Sequence, residues 1–464
     1  MSRKKVHFIG IGGIGISALA QYYLAMGWKV SGSDLVSSEI TETLEKKGIK
    51  IFIGPHKAKN LTEDINLVVY SQAVSSKNPE LKKAKRLSSK NSKLKIKSYP
   101  QALGELTKRY FTIAVSGTHG KSTTTAMIGI LLKKAGLDPT VILGTKVKEF
   151  QNSNCRIGKS KYLVIEADEY KASFLNYWPS IIVLTNIEKE HLDYYRNLNH
   201  ILKTYRKYIN HLPRKGTLVA NRDDENIKKL LKASKNKFNI KEYSLTQKDS
   251  EKIKKILKIP GIHNVYNALA ALSVARVLGI KDKISFQALS SYKGAWRRFE
   301  IKHSRIPSTN KKITIIDDYA HHPTELKATL EAVREKFPSK TIWVVFQPHQ
   351  YQRTFLLFDN FVKVLSEAPV NQIILVDIYD VAGREKKSTK KLVSSKKLAE
   401  EIIKKNPSFS VLYIPEINET FEYIKKEIKN NTVLMIIGAG DIYKLSKLFS
   451  LDRNNTKLHN KKKD

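Results

Sequence analysis

The chain of 464 residues is poor in three features that would narrow its class. Its single cysteine, Cys155, excludes an internal disulfide, and a reducing compartment is the simplest setting for such a chain. It has no uninterrupted apolar run of about 18 residues, so no membrane-spanning helix is expected. It also lacks long low-complexity tracts, and 41% of its residues are hydrophobic. These features predict a soluble globular protein, and we expect it in the cytoplasm.

Acidic residues are scarce, with 43 against 83 lysines and arginines, which gives a net charge of +40. Clustered basic residues bind nucleic acid by displacing counterions from phosphates. Here the lysines are spread over many polar segments, such as 81–97 and 224–237, without interleaved aromatic residues. We interpret them as a solvated surface and predict no specific nucleic-acid site.

Apolar runs alternate with amphipathic segments in three successive blocks. This alternation predicts three consecutive α/β domains with mainly parallel sheets, over residues 1–108, 109–296 and 297–464, the last ending in a basic tail. The predicted strands end in glycine or polar residues. Ligands bind beyond the carboxyl ends of parallel strands, so the chemistry is expected there.

The first glycine loop is HFIGIGGIGIS, residues 7–17. Gly10, Gly12 and Gly15 have the spacing G-x-G-x-x-G after a short apolar run, and Asp34 follows about 20 residues later. Such glycines let a diphosphate approach the free amides of a helix N-terminus. They also interrupt the apolar start of the chain, which favours a first strand over a signal peptide. The loop therefore predicts a site for a nucleotide diphosphate.

The second glycine loop is GTHGKSTTT, residues 117–125, which follows the apolar run FTIAV. Gly120, Lys121 and Ser122 carry the G-K-[ST] end of a P-loop, but the first glycine stands at Gly117 where the full pattern would place it at Val115. In such loops backbone amides hold phosphates, the lysine reaches the terminal ones and the hydroxyl binds Mg²⁺. The loop predicts an ATP site.

Acidic residues follow the next two predicted strands. EADEY, residues 166–170, carries three carboxylates, and NIEKEHLDYY, residues 186–195, adds Glu188, Glu190, His191 and Asp193. Carboxylates with an imidazole suit a divalent ion between phosphates and protein, with Mg²⁺ as the default. Because a simple ATPase needs one phosphate loop, two loops indicate a nucleotide substrate that ATP helps to convert.

Later motifs leave their roles open. Asn264 and Asn267 lie three apart on a predicted helix, where their amides suit a helix cap or an adenine edge. The arginines of WRRFE suit a phosphate clamp or a surface ion pair. His321 and His322 before a proline suit a metal site, a substrate contact or a turn, and spacing alone does not decide among them.

Taken in order, these motifs resemble those of the Mur ligases of peptidoglycan synthesis, over essentially the whole chain. The motifs that carry the resemblance are HFIGIGGIGIS, GTHGKSTTT, EADE, NIEKEHLDYY, HNVYNALAA, RRFE, DDYAHHPTE, FQPHQYQRT and GAGDI. The resemblance implies a Rossmann-like domain for UDP, a P-loop ATPase-like central domain for ATP and a Rossmann-like C-terminal domain that receives an amino acid. It implies an ATP-dependent ligase that joins L-alanine to the lactyl carboxylate of UDP-N-acetylmuramate through an acyl phosphate. This reaction would serve cell-wall assembly, cell shape and cell division.

The resemblance also implies roles for individual residues. Those for the UDP-sugar are Gly10, Gly12, Gly13, Gly15, Asp34 and Ser71. Those for ATP are Gly117, Thr118, His119, Gly120, Lys121, Ser122, Thr123, Asn264, Asn267 and Arg298. Mg²⁺ would be bound by Ser122, Glu166 and His191, and the implied catalytic residues are Lys121, Glu166, His191, Arg298 and Asp318. Those that would face the muramoyl carboxyl or the alanine are Tyr319, His322, His349 and Arg353.

Two departures from the family pattern bear on specificity. Gln350 stands where the family often has arginine, and Tyr170 replaces a frequent serine. A tyrosine there also occurs in a recycling ligase that adds a preformed tripeptide to UDP-N-acetylmuramate, which is the nearest alternative. A nicotinamide-dependent dehydrogenase and a nucleic-acid-binding protein are alternatives from other classes. The sequence leaves open whether the protein is a monomer or a homodimer.

Overall fold

The computed structural model describes residues 3–233, 237–306, 309, 311–381, 385 and 387–449. It contains three sheets that follow one another along the chain, each mainly parallel, which confirms the predicted fold class. The expected basic tail lies outside the described residues. Within the described ranges, no helix combines the length and apolar character needed to cross a membrane.

The first sheet has five parallel strands in the order β3-β2-β1-β4-β5. The strands are β1 Lys5–Ile9, β2 Lys29–Asp34, β3 Lys50–Ile53, β4 Leu67–Tyr70 and β5 Lys95–Ser98. The helices are α1 Ile14–Ala25, α2 Glu39–Lys46, α3 Pro79–Lys90 and α4 Tyr99–Thr107, with a 3-10 turn at Ala58–Asn60. The strand order reverses direction between β1 and β4, which is where open α/β sheets bind ligands.

The second sheet has seven strands in the order β12-β11-β10-β6-β9-β7-β8, with β8 antiparallel to β7. The strands are β6 Phe111–Ser116, β7 Thr140–Val147, β8 Ser153–Arg156, β9 Tyr162–Glu166, β10 Ile181–Leu184, β11 Thr217–Asn221 and β12 Asn239–Tyr243. The helices are α5 Lys121–Lys134, α6 Leu198–Ile209, α7 Glu225–Lys232, α8 Asp249–Ile256, α9 Ile262–Val277 and α10 Asp282–Ser291, and 3-10 turns occur at Lys148–Phe150 and Tyr170–Asn176. Strand β6, which carries the second glycine loop, lies between β9 and β10. The acidic motifs that follow β9 and β10 therefore lie on either side of this loop.

The third sheet has six strands in the order β13-β14-β18-β15-β16-β17, with β13 antiparallel to β14. The strands are β13 Glu300–Arg305, β14 Lys312–Asp318, β15 Ile342–Phe346, β16 Gln372–Leu375, β17 Ser410–Tyr413 and β18 Val433–Ile437. The helices are α11 Pro323–Lys336, α12 Tyr351–Leu356, α13 Phe358–Ser366, α14 Lys387–Lys390, α15 Ser395–Lys405 and α16 Ile417–Glu427. The four central strands, β14, β18, β15 and β16, are mainly buried apolar runs. The two edge strands, β13 and β17, are less fully buried, and their apolar pattern in the sequence is correspondingly weak.

The described residues form two compact units. The described residues of one unit lie within Met1–Lys258 and Val265–Lys293, and those of the other lie within Ile259–Asn264 and Gly294–Asp464. The first two sheets thus share one unit. The domain limits inferred from the sequence, at residues 108 and 296, stay predictions.

Helix α1 connects the first two sheets within their unit, since it packs on β2 and on the β7–β8 hairpin. The Asn154 side chain of β8 donates to the main-chain oxygen of Ile14 at 2.6 Å and to Ser17 Oγ at 2.9 Å, and it accepts from Gln21 at 2.7 Å. All three side chains are buried. Burial on both faces explains why α1 is apolar almost all round.

Candidate functional site

The first glycine loop connects β1 to α1 at the point where the strand order reverses. Gly10 has φ 77°, a left-handed conformation that favours glycine, and Gly13 is the N-cap of α1. The main-chain N–H of Gly12 donates to Asp34 Oδ2 at 2.8 Å. A Cβ on Gly12 would lie 2.8 Å from the same oxygen, which is closer than such contacts allow. Asp34 therefore fixes the conformation of the loop.

Two further residues border this loop. Ser71 follows β4, and a Cβ on Gly10 would lie 3.1 Å from the Ser71 Cβ. A Cβ on Gly15 would lie 3.0 Å from the hydroxyl oxygen of Tyr99. The structure thus brings the six residues implied for the UDP-sugar to one edge of the first sheet, and it adds Tyr99, which the sequence did not indicate.

The second glycine loop connects β6 to α5, and its two glycines have left-handed φ values, 135° at Gly117 and 82° at Gly120. A side chain at Gly117 would collide with Thr185, and one at Gly120 with Asn267. The main-chain N–H groups of Thr118 and His119 donate to Asn186 O at 3.0 Å and to Asn186 Oδ1 at 2.8 Å. Asn186, which follows β10, therefore holds the loop through these two hydrogen bonds. The left-handed φ values and the close contacts require glycine at residues 117 and 120.

The ammonium of Lys121 lies folded into this loop. Its Nζ donates to the main-chain oxygens of Gly117 at 2.5 Å and Thr118 at 3.1 Å, and to Glu169 Oε2 at 3.0 Å. Burial alone would lower the pKa of Lys121, but the carboxylates around it, Glu169 first, hold the pKa above its ordinary value. Lys121 is therefore kept in its charged, ammonium form at the N-terminus of α5.

The residues implied for Mg²⁺ divide into two groups. Ser122 Oγ donates to Glu166 Oε2 at 3.0 Å, and the main-chain N–H of Gly144 donates to Glu166 Oε1 at 2.6 Å. His191 lies instead beside Glu169, with its Nε2 3.7 Å from Glu169 Oε1. Ligand atoms of Asp168, Glu169 and His191 all lie within 4.8 Å of one another, a spacing that suits a divalent ion.

Glu169, which the sequence did not single out, is the carboxylate that lies against Lys121. It is 3% exposed, and burial raises the pKa of its carboxyl while Lys121 opposes that effect. The motif EADEY indicated three carboxylates here, but spacing did not show which of them faces Lys121. That choice depends on the turn after β9, where Lys171 and Ala172 both have left-handed φ values near 50°.

The two predicted adenine residues have different surroundings. Asn267 Oδ1 accepts from Thr124 Oγ1 of α5 at 3.1 Å, beside the second glycine loop. Asn264 Nδ2 donates to the main-chain oxygen of Pro260 at 2.6 Å, which ties the first turn of α9 to the preceding segment. Thr123 is buried within α5. Asn267 is thus the asparagine that the structure brings to the loop itself.

Polar residues also gather at the carboxyl edge of the third sheet. The carboxylate of Asp318 accepts from the main-chain N–H groups of Phe299 at 2.7 Å and Ala320 at 2.8 Å. Burial raises the pKa of Asp318 to about 6, against the opposing effect of Arg298. Arg298 lies 3.9 Å from Glu325 and over the Tyr319 ring. Its neighbour in WRRFE, Arg297, is 2% exposed and pairs with Asp317, so the two arginines differ in role.

Three of the four residues implied for the muramoyl carboxyl or alanine, Tyr319, His349 and Arg353, are linked beside this edge through His321, which the resemblance did not include. The ring of His321 lies 5.5 Å from that of Tyr319 and 5.8 Å from that of His349. Arg353 donates to the main-chain oxygen of His349 at 3.1 Å. Tyr379, which the sequence did not indicate, stacks on His349 at an interplanar angle of 9°.

His322 has a structural role in addition to any contact with substrate. Its Nδ1 accepts from the main-chain N–H of Thr324 at 3.3 Å, so it caps α11, whose first residue is Pro323. Gln350, which departs from the family pattern, has φ 73° and forms the N-cap of α12. The turn interpretation of the two histidines thus holds for His322.

Comparisons with known proteins agree with this division into three sheets. Residues 5–111 match the model described as Mur ligase family, catalytic domain, residues 115–275 match the Mur ligase middle domain, and residues 297–440 match the Mur ligase, glutamate ligase domain. The UDP-N-acetylmuramate–L-alanine ligase of Acetivibrio thermocellus is 42% identical over 97% of this chain and 96% of its own. That of Clostridium tetani is 42% identical over 96% of this chain and 98% of its own.

Solved structures give the same picture. The UDP-N-acetylmuramate-alanine ligase of Thermotoga maritima superimposes with a TM-score of 0.78 at 28% identity, over 97% of this chain and 99% of its own. A murein peptide ligase of Psychrobacter arcticus shares the fold with a TM-score of 0.69 at 22% identity, over 97% of this chain and 98% of its own. Because the three family models together match most of the chain and a relative is 42% identical over 97% of it, the chain belongs to the Mur ligase family.

Proposed function

We propose that this protein joins L-alanine to the lactyl carboxylate of UDP-N-acetylmuramate, with ATP as the source of energy, in peptidoglycan synthesis. The observation that carries the proposal is the pair of glycine loops within one compact unit, the second with Lys121, Ser122 and Glu166 assembled around it. Relatives that are 42% identical along nearly the whole chain are named for this reaction. Because ATP is available in the cytoplasm, we place the reaction there.

The first glycine loop fits the diphosphate of a UDP-sugar. The left-handed turn at Gly10 leads the main chain into α1, and the absence of a side chain at Gly12 makes room for Asp34, which accepts from the Gly12 N–H. The N-terminus of α1 supplies free amides and a partial positive charge, which favour an anion. Asp34 and Ser71 lie at the same edge and offer hydrogen-bonding groups to the sugar nucleotide.

The second glycine loop fits the phosphates of ATP. Lys121 would neutralise phosphate charge, as the lysine of P-loops does. The Ser122 hydroxyl and the Glu166 carboxylate, which are already hydrogen-bonded to each other, are suitable oxygen ligands for Mg²⁺, with His191 as the third predicted ligand. Bound Mg²⁺ would neutralise charge on the phosphoryl oxygens. Asn267 lies at this loop and is suited to the adenine.

The chemistry follows from the low reactivity of a carboxylate as an acyl donor. A lactyl carboxylate oxygen attacks the γ-phosphorus of ATP, the bond to ADP breaks, and an acyl phosphate forms. The amine of L-alanine then attacks the acyl carbon, the carbon–oxygen bond breaks, phosphate leaves, and the amine loses a proton. Neither step needs a protein nucleophile, so positioning and charge neutralisation by residues such as Lys121 provide the catalysis.

The polar cluster at the third sheet is suited to the amino acid or the muramoyl carboxyl. A guanidinium can pair with a carboxylate through two hydrogen bonds, and Arg353 is the arginine held against His349. Tyr319 and His322 lie on the neighbouring turn after β14. Arg298 and Asp318 stay proposed members of the nucleotide site.

The test offers UDP-N-acetylmuramate, ATP and Mg²⁺ to the purified protein with L-alanine, glycine, L-serine or the tripeptide. Phosphate release and the mass of the product are measured. We expect the fastest release with L-alanine and a product heavier by one alanine residue. Release with the tripeptide but not with L-alanine would show the recycling reaction and overturn the proposed substrate, and NAD-dependent oxidation without phosphate release would overturn the reaction class.

A further inference from the structure

Lys121 already has a full set of hydrogen-bond partners. An ammonium has three N–H donors, and those of Lys121 are matched by two main-chain oxygens and the carboxylate of Glu169. The two main-chain oxygens belong to the loop itself, whereas the carboxylate comes from the neighbouring strand end. A phosphate that binds Lys121 must therefore take the place of one of these partners, and the anionic partner is Glu169.

Glu169 is held firmly in place by its own backbone. Its main-chain oxygen accepts from the Tyr195 hydroxyl at 2.5 Å and from the main-chain N–H of Ala172 at 2.9 Å. The two residues after Tyr170, Lys171 and Ala172, have left-handed φ values of 50° and 54°, which non-glycine residues seldom adopt. Such strained backbone persists only where its surroundings fix it. The carboxylate is thus the stationary partner, and the long lysine side chain is the mobile one.

A second contact holds this turn to the first sheet. Ser173 Oγ donates to the side-chain oxygen of Gln72 at 3.1 Å, and Gln72 directly follows Ser71 of the proposed UDP-sugar site. Tyr170 Oη donates to Asp193 at 3.1 Å on the other side. The turn that carries Glu169 is therefore fixed from both sides within the same compact unit.

We infer that Glu169 is a positioning residue that competes with the phosphates of ATP for Lys121. Without nucleotide, its carboxylate neutralises the ammonium and keeps the lysine side chain in the loop. When ATP is bound, Lys121 serves the phosphates while the carboxylate opposes their charge. When product leaves, Glu169 takes the ammonium back, which limits nucleotide affinity and favours release. This inference rests on the ATP site proposed above.

Replacing Glu169 should change the affinity for ATP in the direction opposite to replacing a residue that binds ATP. Removing a residue that binds ATP weakens binding, whereas removing the Glu169 charge should strengthen it, because two negative groups share one cation. We expect Glu169→Gln to bind ATP about fivefold more tightly than the wild type in EDTA, where no Mg²⁺ takes part. In turnover with Mg²⁺, kcat and the KM for ATP should both fall, whereas a purely structural defect would lower the amount of active protein without lowering KM.

The experiment measures ATP binding in EDTA by calorimetry for the wild type, Glu169→Gln, Glu169→Asp, Lys121→Ala and Glu225→Gln. Glu225 is an exposed carboxylate of α7 paired with Lys228, so its variant is the matched control and should bind as the wild type does. Glu169→Asp keeps the negative charge but places it farther from Lys121, because the side chain is shorter. We expect this variant to bind ATP about twofold more tightly than the wild type. If Glu169→Gln does not fold in a thermal unfolding assay, Glu169→Asp decides the question by the same criterion.

Unchanged or weaker binding by the folded variant contradicts the inference. Weaker binding only when Mg²⁺ is present shows that Glu169 is a metal ligand and also overturns it. If the wild type and Lys121→Ala bind ATP equally, the proposed ATP site itself is wrong. Normal wild-type binding without the tightening in Glu169→Gln rejects only the role of Glu169.

Discussion

The side-chain amide of Asn154 donates to the main-chain oxygen of Ile14, so a strand of the second sheet holds the first turn of a helix of the first. That turn follows the first glycine loop directly. The Tyr170–Asn176 turn of the second sheet also bonds back to Gln72 of the first. The two proposed nucleotide sites therefore belong to one compact unit whose parts are joined by these hydrogen bonds.

Replacing Asn154 should lower the affinity of the proposed UDP-sugar site, although Asn154 is not among the residues proposed to contact the sugar nucleotide. We expect Asn154→Ala to lower the free energy of unfolding by about 2 kcal/mol, since it leaves buried polar groups of α1 without their partner. The affinity for UDP-N-acetylmuramate should fall as well. Chemical denaturation and calorimetry measure the two effects, with Asn91→Ala on an exposed loop as the control. An Asn154→Ala protein as stable as the wild type would contradict this account.

Lys121 should be needed for turnover but not for the UDP-sugar. We expect Lys121→Ala to lower kcat by at least about a hundredfold, because an uncompensated phosphoryl charge develops in the transition state. UDP-N-acetylmuramate binding should stay within about twofold of the wild type, as the first loop lies elsewhere. Lys134→Ala, an exposed lysine at the end of the same helix, is the control. Loss of both activities would show that the two sites are not separate.

The hydroxyl of Ser122 should set the requirement for Mg²⁺. We expect Ser122→Ala to raise the Mg²⁺ concentration needed for half-maximal phosphate release by about tenfold, because one oxygen ligand and the partner of Glu166 are both removed. Ser122→Thr keeps the hydroxyl and should retain most of the wild-type response. Equal Mg²⁺ dependence in Ser122→Ala and the wild type would exclude a ligand role.

Glu80 should make the stability of the protein depend on acid pH. It is buried and accepts from Ser33 and Asn60, each at 2.6 Å, with His7 at 3.2 Å. Burial alone would raise the pKa of Glu80, but these hydrogen bonds hold it at about 2. Because the pKa is depressed on folding, the stabilisation is present above the ordinary pKa near 4.5 and is lost as pH falls toward 2.

The expected contribution of Glu80 at neutral pH is roughly 3 kcal/mol. Chemical denaturation of the wild type and Glu80→Gln at pH 7 and pH 3 measures it. The wild type should lose more stability than the variant between these pH values. Glu63→Gln, an exposed carboxylate of the same domain, should behave as the wild type does. Parallel curves for wild type and Glu80→Gln would show that Glu80 has no such role.

Most of the fold follows from patterns that the sequence displays directly. Buried parallel strands such as β6 and β10 are short continuous apolar runs, and both glycine loops stand where such runs end. The edge strand β13 and the β7–β8 hairpin do not show this pattern, because most residues of β13 are only partly buried and the register of β7 with β8 shifts between Ile142 and Val147. Pairing of this kind depends on the assembled sheet.

The paired arginines show the same limit at the level of single residues. Arg297 and Arg298 are identical and adjacent in the sequence, yet Arg297 is buried against Asp317 and Arg298 lies near Glu325. The difference comes from left-handed φ values at Arg297 and Phe299, which turn neighbouring side chains in different directions. No spacing rule in the sequence specifies that turn.

The sequence by itself determined which chemical groups this protein possesses and the order in which strands, loops and helices follow one another. Glycine, lysine and hydroxyl residues at a strand end predict a phosphate-binding loop, because the geometry and backbone hydrogen bonding of such a loop are set by residues that are neighbours in the chain. Only the tertiary structure decided that Glu169 faces Lys121 and that Asn154 holds α1, pairs whose members are 48 and 140 positions apart in the sequence. Such contacts arise when strands distant in sequence are placed side by side, which is a property of the packed sheets and not of any local segment.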